Sequence, residues 1–246
     1  ALGTQGVSAL SATQLKGITS AQIATLSTDQ VSKLSTAQIA ALSTAQVANI
    51  RTDGLQALGS AQVGALTAAQ VKGLSTTQVQ SLTTTQAAGL TTGQIGGLST
   101  AQVTVLSTDV VAGLSTKQVA ALTASQLGNM TTAQIASIET QDLKALGATQ
   151  LKSLTSGQIV ALTTTQAGAL STAQIAGLST AQIRALETQD LAQITGTAQL
   201  AALSAAQLAA LSTAQVQSLS TGQIQGLSGK QLSSLTTAQI QALGTD

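Results

Sequence analysis

Apolar side chains recur along this chain at positions 5 and 8 of an eight-residue period that reads Ser/Thr-Thr-x-Gln-Ile/Val-x-small-Leu. Residues 35–42 (STAQIAAL) and 171–178 (STAQIAGL) are nearly identical copies. Roughly 30 octads follow one another from Gly3 to Leu243, enough to define a repeat array. The register slips once, at residues 195–203 (TGTAQLAAL), an octad lengthened by one residue. Residues 1–246 therefore read as a single continuous array.

The polar positions of the octad encode a helix start. Ser or Thr at position 1 and Gln at position 4 form a capping box: the hydroxyl accepts from the backbone N–H of position 4, and the Gln side chain reaches back to the N–H of position 1. The Leu closing one octad and the Ile or Val at position 5 of the next are placed as a hydrophobic staple, as with Leu34 and Ile39 around Ser35 and Gln38. Positions 5 and 8 share one helical face. Position 6, which holds Lys16, Lys72, Lys144, Lys152 and Arg184, faces solvent together with position 2. Small residues at position 7, such as Gly73, Ser81, Gly89 and Asn129, admit a neighbouring backbone or ease the helix exit.

One continuous helix does not suit this period. Eight residues advance by about 800°, so each apolar pair turns by roughly 80° from the last and the stripe cannot stay buried. The expectation is an all-α repeat solenoid of short capped helices of about two turns, one per octad, each followed by a tight reversal. Two octads to a layer would give about 15 layers. Such helices are too short to persist alone, so stability must come from stacking. A β-solenoid is the alternative, since Thr, Ile and Val favour strands and Gln ladders suit stacked coils. Against it, positions 5 and 8 have opposite parity and would point to opposite faces of a strand, and Ala is abundant.

Composition narrows the functional classes. The chain has no aromatic residue, no His, no Cys and no Pro, and only 7% of it is charged. Thin stacked layers fit this better than one thick core. The net charge of +1 offers nothing to nucleic acid or an acidic membrane surface. Polar residues return in every octad, so no run approaches the ~20 apolar residues of a membrane span, and no signal-peptide pattern opens the sequence. Ala1-Leu2 reads as the tail of a preceding octad and Gly244-Thr245-Asp246 as the start of another. The expectation is a segment of a longer array or a subunit that stacks end to end, with self-association as the main contact.

Three octads depart from the pattern. Residues 139–146 (ETQDLKAL) and 187–194 (ETQDLAQI) carry Glu at position 1 and Asp at position 4; residues 51–58 (RTDGLQAL) carry Arg51 and Asp53. Each is followed by a glycine near the next octad start, Gly59, Gly147 or Gly196, as at a bend or change of phase. Glu139/Asp142 and Glu187/Asp190 are the only close carboxylate pairs. Two carboxylates fall far short of the roughly six to eight oxygens that calcium takes. The simpler reading is that they act as variant helix caps favoured by the dipole. With His missing no nucleophilic triad can form, and only a Ser-Lys dyad stays open. The lysines read as solvated face charges. No phosphate-loop spacing is present, and the sequon Asn129-Met130-Thr131 stands alone. The expected catalytic, cofactor-binding and metal-ligating sets are therefore empty: no enzyme, no cofactor.

The unit Leu-Ser-Thr-Ala-Gln-Ile-Ala-Ala-Leu, with Glu-Thr-Gln-Asp-Leu variants, resembles octapeptide arrays of large bacterial secreted or surface (adhesin-like) proteins, along essentially the whole chain. The resemblance implies an extracellular structural stalk, spacer or filament component at the bacterial surface, or an adhesin-type module that recognises a glycan or protein through variable positions 3 and 6. Leu-Ser-Thr-Ala-Gln-Val also resembles the opening of repeats in transcription-activator-like effectors, over about six residues per octad. The longer period of that family, its paired variable positions and its basic stripe are missing, so no DNA binding is expected.

Overall fold

A computed structural model of the chain describes residues 3–194 and 197–243. The expected remnants at Ala1-Leu2 and Gly244-Thr245-Asp246, and the extra residue at Thr195-Gly196, lie outside the described residues. Among the described residues there are 30 α-helices, one per octad, and no strand. The β-solenoid alternative is excluded. Most helices have five or six residues, as in Thr76–Gln80 and Thr36–Ala41, so they are about a turn and a half long rather than two.

The local geometry follows the octad. At Ser35 the backbone is extended (φ −71°, ψ 160°), its hydroxyl accepts from the Gln38 amide at 3.2 Å, and Gln38 Oε1 accepts from the Ser35 N–H at 2.7 Å. The helix stops at Leu42, again extended (φ −59°, ψ 147°). The reversal thus consists of two consecutive extended residues, the last of one octad and the first of the next. It needs no left-handed residue, and no positive φ occurs among the described residues. Glycine at position 7 therefore does not act as a left-handed cap.

Its use is close approach. A Cβ on Gly89, at position 7, would lie 2.5 Å from the Ser60 carbonyl oxygen, and one on Gly64, at position 6, would lie 2.6 Å from the Gly89 carbonyl oxygen. Both contacts join the helices Ser60–Gly64 and Thr84–Ala88, three octads apart.

The molecule divides into two compact halves, Ala1–Leu122 and Thr123–Asp246. Within each half, every helix packs on the helices three octads before and after it. This makes three columns of stacked helices rather than two octads per layer. In the first half one column is Ala12–Lys16, Thr36–Ala41, Ser60–Gly64, Thr84–Ala88 and Thr108–Ala112. In the second half one column is Thr140–Leu143, Thr164–Gly168, Thr188–Gln193, Thr213–Gln217 and Thr237–Leu243. Each half is thus an α-solenoid, with a core of position 5 and position 8 side chains such as Leu34, Ile39, Ile159 and Leu162.

The Gly64–Gly89 approach makes a direct test. Gly89→Ala must push two backbones apart, and is expected to cost about 1–3 kcal/mol. Urea denaturation followed by the helical circular dichroism signal measures this. Gly222→Ala, where a Cβ meets nothing within 4 Å, is the matched control and should be neutral or mildly stabilising.

Candidate interface: the glutamine ladder and the irregular octads

Gln at position 4 is buried in most octads. Gln94, Gln102, Gln166 and Gln174 are each exposed by no more than 2%. A buried amide must find partners for both its oxygen and its NH₂, and the octad supplies only the first. The oxygen caps its own helix start. The NH₂ leaves the octad altogether and donates to carbonyls about 30 residues earlier. Gln102 shows the full set: Oε1 accepts from Ser99 N–H at 2.8 Å, and Nε2 lies 2.8 Å from the Leu74 carbonyl and 3.0 Å from the Val71 carbonyl. Gln86, Gln94 and Gln118 repeat this within the first half, and Gln158, Gln166, Gln174 and Gln182 within the second.

The carbonyls belong to positions 5 and 8 of the octad four places back, where a helix has just ended. A helix end leaves its last carbonyls without intrahelical donors, and a helix start leaves its first amides without acceptors. One glutamine satisfies both, at the start of one helix and the end of another. Since each helix packs three octads back while its glutamine reaches four back, between three and four octads complete a turn.

The lengthened octad leaves this pairing intact. Before it, Gln182 reaches carbonyls 31 and 28 residues away. Across it, Gln207, Gln215 and Gln223 reach 32 and 29 residues back. Past it, Gln239 returns to 31 and 28. Residue count shifts by one, but the positions paired do not.

In the three irregular octads position 4 is not Gln; it is also Val110 in residues 107–114 and Gly6 in residues 3–10, octads whose pattern is otherwise ordinary. The expectation that Glu139 and Glu187 serve as variant caps is not met: neither side chain makes a capping hydrogen bond. Each instead accepts from the residue two places on, Gln141 Nε2 at 2.9 Å and Gln189 Nε2 at 2.6 Å. The Glu side chain is one methylene longer than Asp and does not fold back to the amide three residues ahead. Asp142 and Asp190 occupy the glutamine position and are exposed by only 2% and 1%. Both carboxyl oxygens of Asp190 lack a hydrogen-bond partner. Burial pushes the Asp190 carboxyl above its ordinary range; the nearby Glu187 amide opposes this, and the Glu187 charge adds to it.

The third irregular octad is different. Arg51 makes no cap bond, but its guanidinium pairs with the Asp53 carboxylate, with Nε 3.1 Å from Oδ1. Hydrogen bonding to Arg51 holds Asp53 below its ordinary range. Position 4 is Gly54, where a Cβ would meet the Ile50 and Val31 methyls at 3.3 Å. Apolar packing replaces the glutamine bridge there. The glycines that follow show no local bend: Gly59 (φ −75°, ψ 163°) and Gly147 (φ −70°, ψ 157°) match the backbone of Ser or Thr at position 1. Gly196 lies outside the described residues.

The cationic residues are scattered. Lys144, Lys152 and Arg184 are exposed and belong to helices of three different columns, and Lys16 and Lys72 to two. Arg184 Nε lies 3.3 Å from the Ala210 carbonyl. Asn129 of the sequon donates to the Ser125 carbonyl at 2.8 Å. Glu139 and Glu187 stand in the same column, each beside an open groove: one of 600 Å³ lined by Thr140, Gln141 and Thr163, the other of 450 Å³ lined by Thr188, Gln189 and Ser212. Among the described residues no three carboxylates come together, and no helix is long and apolar enough to cross a membrane.

Gln102→Leu would orphan the Ser99 N–H and the Leu74 carbonyl and leave the Val71 carbonyl with only its Leu74 N–H donor, and is expected to cost about 2–4 kcal/mol in urea denaturation. Gln102→Glu keeps the acceptor and loses the donor. Its carboxyl should titrate above the ordinary value, so that stability close to native in acid is lost as pH rises through and beyond the usual Glu range. In Arg51→Ala, the Asp53 carboxyl should return upward towards its ordinary value, read by NMR titration.

Comparison of the sequence with curated proteins finds no match. The sequence model of the ALTTAQ repeat matches residues 1–36, 25–52, 31–68, 56–92, 68–100, 135–172, 168–196, 183–221 and 196–229. These overlapping matches tile most of both halves, and the chain belongs to the ALTTAQ repeat family.

Proposed function

We propose that the array is a structural protein: a repetitive stalk or spacer, or a filament-forming component, at the outside of a bacterial cell. The glutamine ladder is the observation that carries this reading. Each turn presents NH₂ donors on one side and carbonyl acceptors on the other, so the pattern contains no intrinsic stop. A further turn of the same repeat, from this chain or another copy, is bound by the same two hydrogen bonds per octad. Gln14 and Gln22, in the first turn, are exposed and cap only their own helices. Position 1 hydroxyls are occupied by capping, which leaves little side-chain chemistry for catalysis. The scatter of cations over different columns also suits a spacer better than a charged recognition face.

Negative-stain microscopy and small-angle scattering of the purified chain test this. Elongated particles that lengthen by joining end to end with rising concentration are expected. Compact, monodisperse globules at all concentrations would sink the proposal.

A second reading is an adhesin-type module for a glycan or protein. One observation favours it: Glu139 and Glu187 repeat the same groove in one column, each held by a position 3 glutamine. On this reading, Glu139→Gln with Glu187→Gln removes binding to a glycan array or cell surface without changing the helical signal. Retained binding in that double variant rejects it.

A further inference from the structure

We propose that the octad containing Asp190 is an acid-tightened joint: Asp190 bridges to the preceding turn when protonated, and its ionisation releases the helix Thr188–Gln193 from that turn. This inference does not depend on what the array attaches to.

The placement of Asp190 carries it. Counting back by the offsets of Gln182, the carbonyls facing position 190 are those of Ile159 and Leu162. In the neighbouring octads the same carbonyls receive N–H donors: Gln174 serves Leu143 and Leu146, and Gln182 serves Leu151 and Leu154. A carboxylate has no donor to offer them. Asp190 is nevertheless buried to 1% exposure, with neither oxygen hydrogen-bonded. A protonated carboxyl does have a donor, and its O–H can supply a bond to the Leu162 carbonyl; the Ile159 carbonyl already accepts from the Leu162 N–H. An ionised carboxyl in the same place is a buried charge set against carbonyl oxygens, which is costly.

Little else nearby stabilises that charge. Thr188–Gln193 packs on Thr164–Gly168 and Thr213–Gln217, and neither helix carries a titratable group. The octad holding Ile159 and Leu162 (TSGQIVAL) has none either. Glu187 in the same octad acts both ways: its backbone amide favours ionisation, its carboxylate, the smaller effect, opposes it, and burial outweighs both. Arg184, one octad earlier, is hydrogen-bonded to the Ala210 carbonyl.

The sign of the linkage follows. Asp190 holds its proton in the folded state at pH values where the unfolded chain has released it, since its folded value lies above the ordinary 3.8. The stabilisation is fully present below 3.8 and is lost as pH rises towards the raised folded value, after which stability no longer changes on this account. One proton is involved, so the folding equilibrium falls by at most about tenfold per pH unit across that window.

Urea midpoints of the full chain, measured from acid to neutral pH for the native protein, Asp190→Gln and Asp190→Asn, test the proposal. Asp190→Gln installs the side chain used throughout the ladder, so it should raise the midpoint at neutral pH. Both variants should remove the falling limb that the native chain shows above 3.8. Amide exchange, corrected for intrinsic rates, should show faster opening of 188–193 at neutral pH in the native chain alone. A pH profile unchanged in Asp190→Asn overturns the proposal. So does an Asp190→Gln protein that is no more stable than native at neutral pH, or that fails to fold.

Discussion

A short helix has more unsatisfied backbone ends than internal hydrogen bonds, and this constraint governs the whole molecule. With five or six residues per helix, nearly every amide belongs to a first turn and nearly every carbonyl to a last one. The solution is a single buried side chain with an acceptor at one edge and two donors at the other. Gln102 closes the start of its own helix and the end of a helix in the turn before. Capping and stacking are thus one event. An octad that loses its neighbour also loses part of its own termination, which is why single repeats are not independent folding units.

Much of this was legible in the sequence. Ser35, Gln38 and the Leu34–Ile39 pair encode the helix start, and the parity of positions 5 and 8 separates helix from strand. The second half of the glutamine bond was not anticipated, although a signal was present. A capping box accepts Glu as readily as Gln, yet both Glu residues of this chain stand at position 1 and none at position 4. The need for a donor and for a neutral group at a buried position accounts for that preference. The number of octads per turn was hidden for a different reason: it depends on which earlier carbonyls the NH₂ meets, a contact about 30 residues distant that no local pattern specifies.

The irregular octads show how far position 4 can be altered. Gly54 removes the side chain and brings the Val31 and Ile50 methyls into its place, an apolar substitute with no side-chain polar group of its own. Asp190 keeps polarity but, when ionised, has no donor to offer. Local reading treated Glu187 and Asp190 as helix-start carboxylates, because the sequence displays their place in the octad and not the carbonyls of the preceding turn. Burial and pairing across turns, rather than charge at a helix end, decide what these residues do.

The lengthened octad at 195–203 gives the pairing rule a genetic meaning. Gln207, Gln215 and Gln223 span one residue more than their counterparts, yet each meets the same two positions, and Gln239 has returned to the usual span. An insertion is felt for one turn and then forgotten. Unequal recombination between near-identical octads, which adds or deletes whole repeats, would therefore change the reach of such an array while leaving every surviving bond in place. Length becomes a trait that can drift or be selected without redesign of the fold.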